Sequence, residues 1–408
     1  MAEIAAGAVV AEQVVSTAVQ GGIAAYALTT PTMPLHATFT QMVASTEGKV
    51  PNLLQRSNNT INIIGSKLYL FGGQTAPGTL AGNDMHVLAL PSSSSVSSSS
   101  LARDEYTCIA AEPAENGGSV PESRAGHSAC VWRGQILIFG GYDSSESPIG
   151  EDNRLWAFDI ESHRWTAYAA PHGPKPSSRH SAVMRGDSLI VHLAPAEVWS
   201  LDLGKLLWTA LPSLPDATPS TTHSNLVITG DTIHIITGET NTGSSIHHLS
   251  LKSTADTKPP SWQTTPFPTN PLTPGPRPRT GAALVPLATG QGRHYLLYLF
   301  GSRSVSTGEE PEYWSDMWTY QLPSTSYAPA NLKDTIREKL GFETGGNTWA
   351  EVEVKPRDEE TMTEGKIHPG PRAWFGCDVA NDGRTVVLWG GINPRGEREG
   401  DGWVVKLE

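Results

Sequence analysis

The chain has 408 residues, with 29 Lys and Arg against 41 Asp and Glu and a formal net charge of −12. Such an acidic balance excludes general binding to nucleic acid or to an anionic membrane, both of which need a basic surface. Three cysteines (Cys108, Cys130, Cys377) are too few and too scattered for a disulfide scaffold or a zinc motif, and they fit a reducing compartment.

The length predicts two or three domains at about 150 residues each, and 40 Gly with 31 Pro make the chain turn-rich. Residues 5–28 are rich in Ala and Val. No Lys or Arg precedes them, which argues against a secretory signal, and Glu12, Gln13 and Gln20 interrupt them, which argues against a membrane span. Val10, Val14 and Ile23 with neighbouring alanines predict an amphipathic helix over residues 3–20, a linker to residue 36, and a cytoplasmic protein.

Self-similarity decides the fold. The clearest unit has Arg124, His127 and Ser128, then an apolar strand ending in Gly140 and Gly141, then Trp156 and Asp159, then Trp165. It describes four short strands, the first two joined by a tight turn at Arg133 and Gly134. Decayed copies surround it. The first carries Arg56, Gly72, Gly73, Asp84 and Tyr106; the third Arg179, His180, Ser181, His192, Asp202 and Trp208. A fourth carries His223, Ser224, Gly238, His247, His248 and Trp262, and a fifth Arg277, Gly301, Asp316 and Trp349. The last has Arg372, Gly390, Gly391 and Trp403, then stops at Glu408 without a fourth strand.

Six such strands, three of which keep the double glycine, with this Trp pattern resemble the kelch repeat, whose units form the blades of a β-propeller. The resemblance implies an all-β, six-bladed propeller over residues 37–408, its last blade completed by residues 37–43 pairing onto residues 402–407. Residues 329–342 predict a short helix inserted in blade five. Residues 91–100 form a Ser-rich connector, and residues 355–369 a charged loop leading into blade six.

In a kelch blade the fourth-to-first and second-to-third connections emerge on one face, so side chains there ring the channel mouth. Two positions per blade follow from the repeats. One lies two residues after the leading Arg and reads Asn58, Gly126, Arg179, Thr222, Arg279 and Trp374. The other follows the double glycine and reads Gln74, Tyr142, Pro195, Glu239, Arg303 and Ile392. Arg179, Arg279 and Arg303 present planar forks for carboxylates or delocalised oxyanions. Glu239 could balance one of them, and Trp374 and Tyr142 add stacking surfaces. The same arginines could instead brace loops through carbonyl contacts. His127, His180 and His223 recur beside Ser and read as features of the fold.

Catalytic relatives leave checkable residues. The cysteines lack the partner pattern of a galactose-oxidase-type copper site. Glu312 and Asp316 match two members of the Glu-x3-Asp-x3-His iron site of plant specifier proteins, with Tyr320 in place of the His. The chain also resembles stand-alone fungal kelch proteins of secondary metabolism, through the Ala/Val-rich start from Met1 to Val15 followed by Pro31 and Pro34. That group includes hetero-Diels–Alderases joining a tropolone quinone methide to a sesquiterpene alkene.

The resemblance implies a small-molecule cycloaddition without cofactor or metal, Arg179, Arg279 and Arg303 activating the heterodiene carbonyl. Asn58, Gln74, Tyr142, Thr222, Glu239, Trp374 and Ile392 would bind substrate. The alternative is an interaction module taking an acidic peptide through the same face.

Overall fold

A computed structural model describes residues 31–43, 54–91, 106–178, 180–215, 224–237, 243–252, 260–270, 272–303, 311–324, 328–355 and 368–408. The helix expected over residues 3–20 and the Ser-rich connector after residue 91 lie outside the described residues, as does most of the charged loop before blade six.

Five four-stranded antiparallel sheets and one five-stranded sheet make the six blades. Blade two shows the plan, with strands Ser128–Trp132, Gln135–Phe139, Leu155–Asp159 and Trp165–Tyr168 pairing in sequence order. Short apolar strands bounded by turns cannot bury both faces alone, so each blade packs on the next. Phe71 and Trp156 meet in one such layer between blades one and two, and Leu137 and Val191 in the layer between blades two and three. The strand-four tryptophans fill these layers: Trp165 and Trp208 are buried, and the Trp208 indole donates to the Ala170 carbonyl at 2.9 Å.

Blade six is closed from the other end of the chain. His36–Val43 pairs antiparallel with Gly402–Leu407, with Ala37 opposite Leu407 and Gln41 opposite Trp403. Phe39 packs edge-on to Trp403 at 6.4 Å between ring centroids. Glu353–Val354 adds a parallel fifth strand along His36 and Ala37, so the closing strand is itself covered.

The inserted helix runs over Pro329–Lys339. The proline at its start is suited to the first turn, where the missing N–H is no loss. Arg293 reaches across to Asp334 with contacts of 2.6 and 2.7 Å and ties the helix to blade five. Among the described residues no helix is long and apolar enough to cross a membrane.

Candidate functional site

Two rings of backbone hydrogen bonds set the geometry of the mouth. In the outer ring the second glycine of one blade donates to the strand-one arginine carbonyl of the next: Gly73 to Arg124, Gly301 to Arg372 and Gly391 to Arg56, each 2.9 Å. In the inner ring Trp374 donates to Gly281 (2.8 Å), Asn58 to Trp374 (2.7 Å) and Gly126 to Asn58 (2.9 Å), passing around the channel from blade five to blade two. Every residue of that inner chain has φ near +60°: 54° at Asn58, 62° at Gly126, 62° at Gly281 and 61° at Trp374. For a bulky residue such as Trp374 that conformation is costly and persists only where surrounding contacts enforce it.

The same ring corrects the expected site. Gly281, not Arg279, occupies the blade-five position, because Arg279 is the counterpart of Arg56, Arg124 and Arg372. Arg279 is fully buried; it donates to the Phe300 carbonyl at 2.9 Å and to both oxygens of Asp316 at 2.6 and 2.8 Å. Its guanidinium also lies over the Trp314 ring at 4.7 Å. These contacts make it a brace of the blade. The two-residue slip arose because Arg277 also fits the leading arginine, and the one-residue slip from Ser302 to Arg303 because Phe300, with φ of 56°, stands where blades one, two and six carry the first glycine.

Position two of blade five is accordingly Ser302, which is buried, and Arg303 is the exposed residue beside it. Arg179, Thr222 and Glu239 lie outside the described residues. Arg279, buried in its blade, therefore does not join the exposed Arg303 in a ring at the mouth. Glu312 and Asp316 are each paired with an arginine, Arg277 at 3.2 Å and Arg279.

Other side chains do face the mouth. The Tyr142 ring lies against Gly126, where an added Cβ would come within 2.4 Å of Cε1. Trp374 lies against Gly281 in the same way, at 2.7 Å. Gln74 is buried, and its Nε2 has no hydrogen-bond partner among the described residues. Asn58 and Ile392 complete the described positions and are half-buried.

A third ring position escaped the sequence. Pro148, Tyr313 and Arg398 each bridge back to a position-two residue, namely Tyr142, Ser302 and Ile392. The partners stand six residues apart in blades two and six and eleven apart in blade five. Arg398 is half-buried, its Nη1 donates to Gly396 at 3.3 Å, and its Nε has no partner among the described residues.

The field of Arg398 reaches phenols on two other blades. Burial pushes the Tyr142 hydroxyl up to about 12, with Glu146 adding to the rise and Arg398 opposing it. Burial likewise raises Tyr313, again opposed by Arg398. Both phenols therefore stay protonated near neutrality and can donate. Gln74, Tyr142, Tyr313 and Arg398 make a set of donors from blades one, two, five and six, flanked by the Trp374 indole.

The recurring histidines hold the fold. His127 and His180 stack edge-on to Phe71 and Phe139 at 5.3 and 5.5 Å, and burial depresses both imidazoles. His223 lies outside the described residues.

The family model for the KLHDC2/KLHL20/DRC7 Kelch-repeats domain matches residues 25–238 and 108–285. The chain belongs to the kelch-repeat family. Kelch domain-containing protein 3 of Rattus norvegicus is 23% identical over 363 residues, covering 84% of this chain and 79% of that protein. The probable serine/threonine-protein kinase DDB_G0272254 of Dictyostelium discoideum is 34% identical over 131 residues, or 31% of this chain. Acyl-CoA-binding domain-containing protein 5 of Arabidopsis thaliana is 25% identical over 185 residues, or 43% of this chain. This kelch chain spans only 8% of the kinase and 25% of the plant protein. The solved structure of YjhT superposes with a TM-score of 0.55 at 12% identity, covering 87% of this chain and 97% of that one, a likeness of fold alone.

Proposed function

We propose that this kelch propeller binds a planar, oxygen-rich ligand at its mouth, Arg398 taking the ligand's carbonyl or carboxylate oxygen. The observation that carries the reading is the buried Arg398 Nε, which has no partner among the described residues, set with protonated phenols and a Gln74 Nε2 that likewise has none among them. Buried donors left unmade are costly, so an acceptor bound there is favoured. Trp374 and Tyr142 offer flat faces for the ring, and Asn58 and Ile392 form the adjoining wall.

Resemblance to the fungal secondary-metabolite kelch proteins supports carrying this further, to a cofactor-independent hetero-Diels–Alder cyclisation of a tropolone-type quinone methide with a sesquiterpene alkene. Arg398 would then do what the resemblance assigned to Arg179, Arg279 and Arg303: hold the heterodiene oxygen and stabilise charge developing on it. Both reactants would meet in a near-attack arrangement over Trp374.

The test is twofold. Tropolone titrated into the protein should quench tryptophan fluorescence, and Arg398→Gln should weaken binding about tenfold with unchanged thermal stability. A quinone-methide precursor with humulene should then give one stereoisomer, more slowly in Arg398→Gln. Spontaneous product ratios would refute the cyclase. Unchanged tropolone binding in the variant would refute the site.

A second reading is favoured by the match to Kelch domain-containing protein 3, which covers 84% of this chain and 79% of that protein. It makes the mouth an interaction surface for an acidic peptide. Capture of a protein partner that is lost with Arg398→Gln, without any turnover of small molecules, would select it.

A further inference from the structure

The strand-one arginine performs one task in four blades. Arg56, Arg124, Arg279 and Arg372 donate from Nη1 to the carbonyl ending strand two: Gly72 at 3.0 Å, Gly140 at 3.0 Å, Phe300 at 2.9 Å and Gly390 at 3.0 Å. In three of these blades a carboxylate of the same blade completes the socket, namely Glu151, Asp316 and Asp401. Each carboxylate is fixed in turn by a strand-three indole: Trp156 at 3.0 Å, Trp318 at 2.7 Å and Trp403 at 2.8 Å. Those carboxylate side chains are only 16%, 24% and 5% exposed.

Blade three keeps half of this device. Trp199 pairs with Val191 as Trp156 pairs with Ile138, and its indole donates to Glu197 at 3.0 Å. Glu197 stands two residues before its tryptophan, as Asp316 and Asp401 do. Leu193 occupies the register of Gly140, so its carbonyl ends strand two. At the arginine's own position stands Ser177, three residues before His180 as Arg124 is three before His127. The Ser177 carbonyl meets His180 Nδ1 at 3.0 Å, which keeps the main chain in register.

Among the described residues no cation of the chain pairs with Glu197. Arg154, nearby in blade two, lies over the Trp156 ring at 5.5 Å instead. Glu197 is exposed and Trp199 half-buried, whereas Trp156, Trp318 and Trp403 are buried. A cleft lined by Glu151, Arg154, Lys175, Ser177 and Leu193 opens beside Ser177, and Glu197 stands outside its lining.

We propose that blade three carries an open guanidinium socket, in which the indole-held Glu197 carboxylate and the Leu193 carbonyl receive the guanidinium of an arginine-bearing ligand. The two-pronged pattern in the filled blades requires a planar fork that spans both carboxylate oxygens and the carbonyl, which an ammonium cannot do. The socket uses none of the side chains assigned to the mouth donors, so it stands or falls apart from them.

The test titrates the full chain with Nα-acetyl-arginine methylamide and follows the indole N–H resonance of Trp199, assigned by Trp199→Phe. A saturable shift is expected, with the citrulline and lysine counterparts and the Glu197→Gln variant each about tenfold weaker. Replacing the exposed Lys175 by Ala should tighten binding by relieving repulsion. Acetyl-Gly-Arg-Gly-amide binding more tightly than the single residue assigns the socket to a peptide, and equal affinity assigns it to a free guanidinium compound. As an internal check, Ser177→Arg should fill the socket, abolish the probe's shift and raise Tm, the gain vanishing in combination with Glu197→Gln. Absence of a saturable arginine response, or equal response to citrulline, overturns the proposal whatever Ser177→Arg does.

Discussion

Replacing Arg279 by Met separates a structural arginine from a catalytic one. The substitution keeps most of the volume but removes the donors to Phe300, to Asp316 and to the Arg277 carbonyl. Asp316 is left with the Trp318 indole and its own backbone N–H, and the contacts over Trp314 and Tyr298 are lost. Breaking a buried pair from one side costs about 3–5 kcal/mol. Because Asp316 is 24% exposed, the lower end applies, about 3 kcal/mol. For a chain of this length that is roughly a 4 °C fall in Tm.

Urea unfolding followed by tryptophan fluorescence reads the loss. Adding Asp316→Leu should recover about half of it, since the uncompensated charge is then gone. Burial raises the Asp316 carboxyl, but the hydrogen bonds and charge of Arg279 outweigh it, and the net shift is downward. A depressed carboxylate contributes stability above its unfolded value, lost as pH falls through the folded one. The gap between wild type and Arg279→Met should therefore narrow below about pH 4. A loss under about 1 kcal/mol, with the gap independent of pH, would refute the bracing role.

Three further outcomes test the architecture. Burial pushes Asp378 up to about 6 despite hydrogen bonds from the Ile63 and Val379 amides. Its folded value lies above the unfolded one, so this group's contribution to stability falls as pH rises from about 4 to 6. Asp378→Asn should flatten that fall and add about 2 kcal/mol at pH 7, after discounting for partial solvent contact, and unfolding across pH 4–8 checks it. Gly390 has φ of 72°, and a Cβ there would sit 2.3 Å from the Arg56 carbonyl oxygen. Gly390→Ala should cost more than about 3 kcal/mol or yield no monodisperse protein by size exclusion, and a neutral outcome would contradict the tight closing seam. Phe39→Asp places a charge against Trp403 in the closing strand and should lower stability by about 4 kcal/mol; an unchanged Tm would mean that His36–Val43 does not seal blade six.

Much of the fold was legible because a propeller repeats a local unit. Strand length, the glycine pair and the strand-four tryptophan are set by neighbouring residues, so they recur visibly in the chain. The unpaired last blade, with Ala37, Phe39 and Gln41 alternating upstream, was enough to name the closing strand. His192 is buried too, since it stands where other blades place an apolar strand residue. The site was less legible. Arg277 and Arg279 both fit a leading arginine, and only the hydrogen bonds to Phe300 and Asp316 choose between them. A spacing clue existed: Asp316 precedes Trp318 by two residues, as Asp401 precedes Trp403.

Sequence alone thus determined the repeat, the blade count and the identity of the closing strand, all consequences of short-range pattern. Tertiary structure decided which arginines brace the blades. A slip of two residues exchanges a buried guanidinium for a backbone turn at the channel rim, and that register is held by hydrogen bonds between blades rather than by anything within one. Arg398 and the open socket at Glu197 become visible only when residues from separate blades are compared in space.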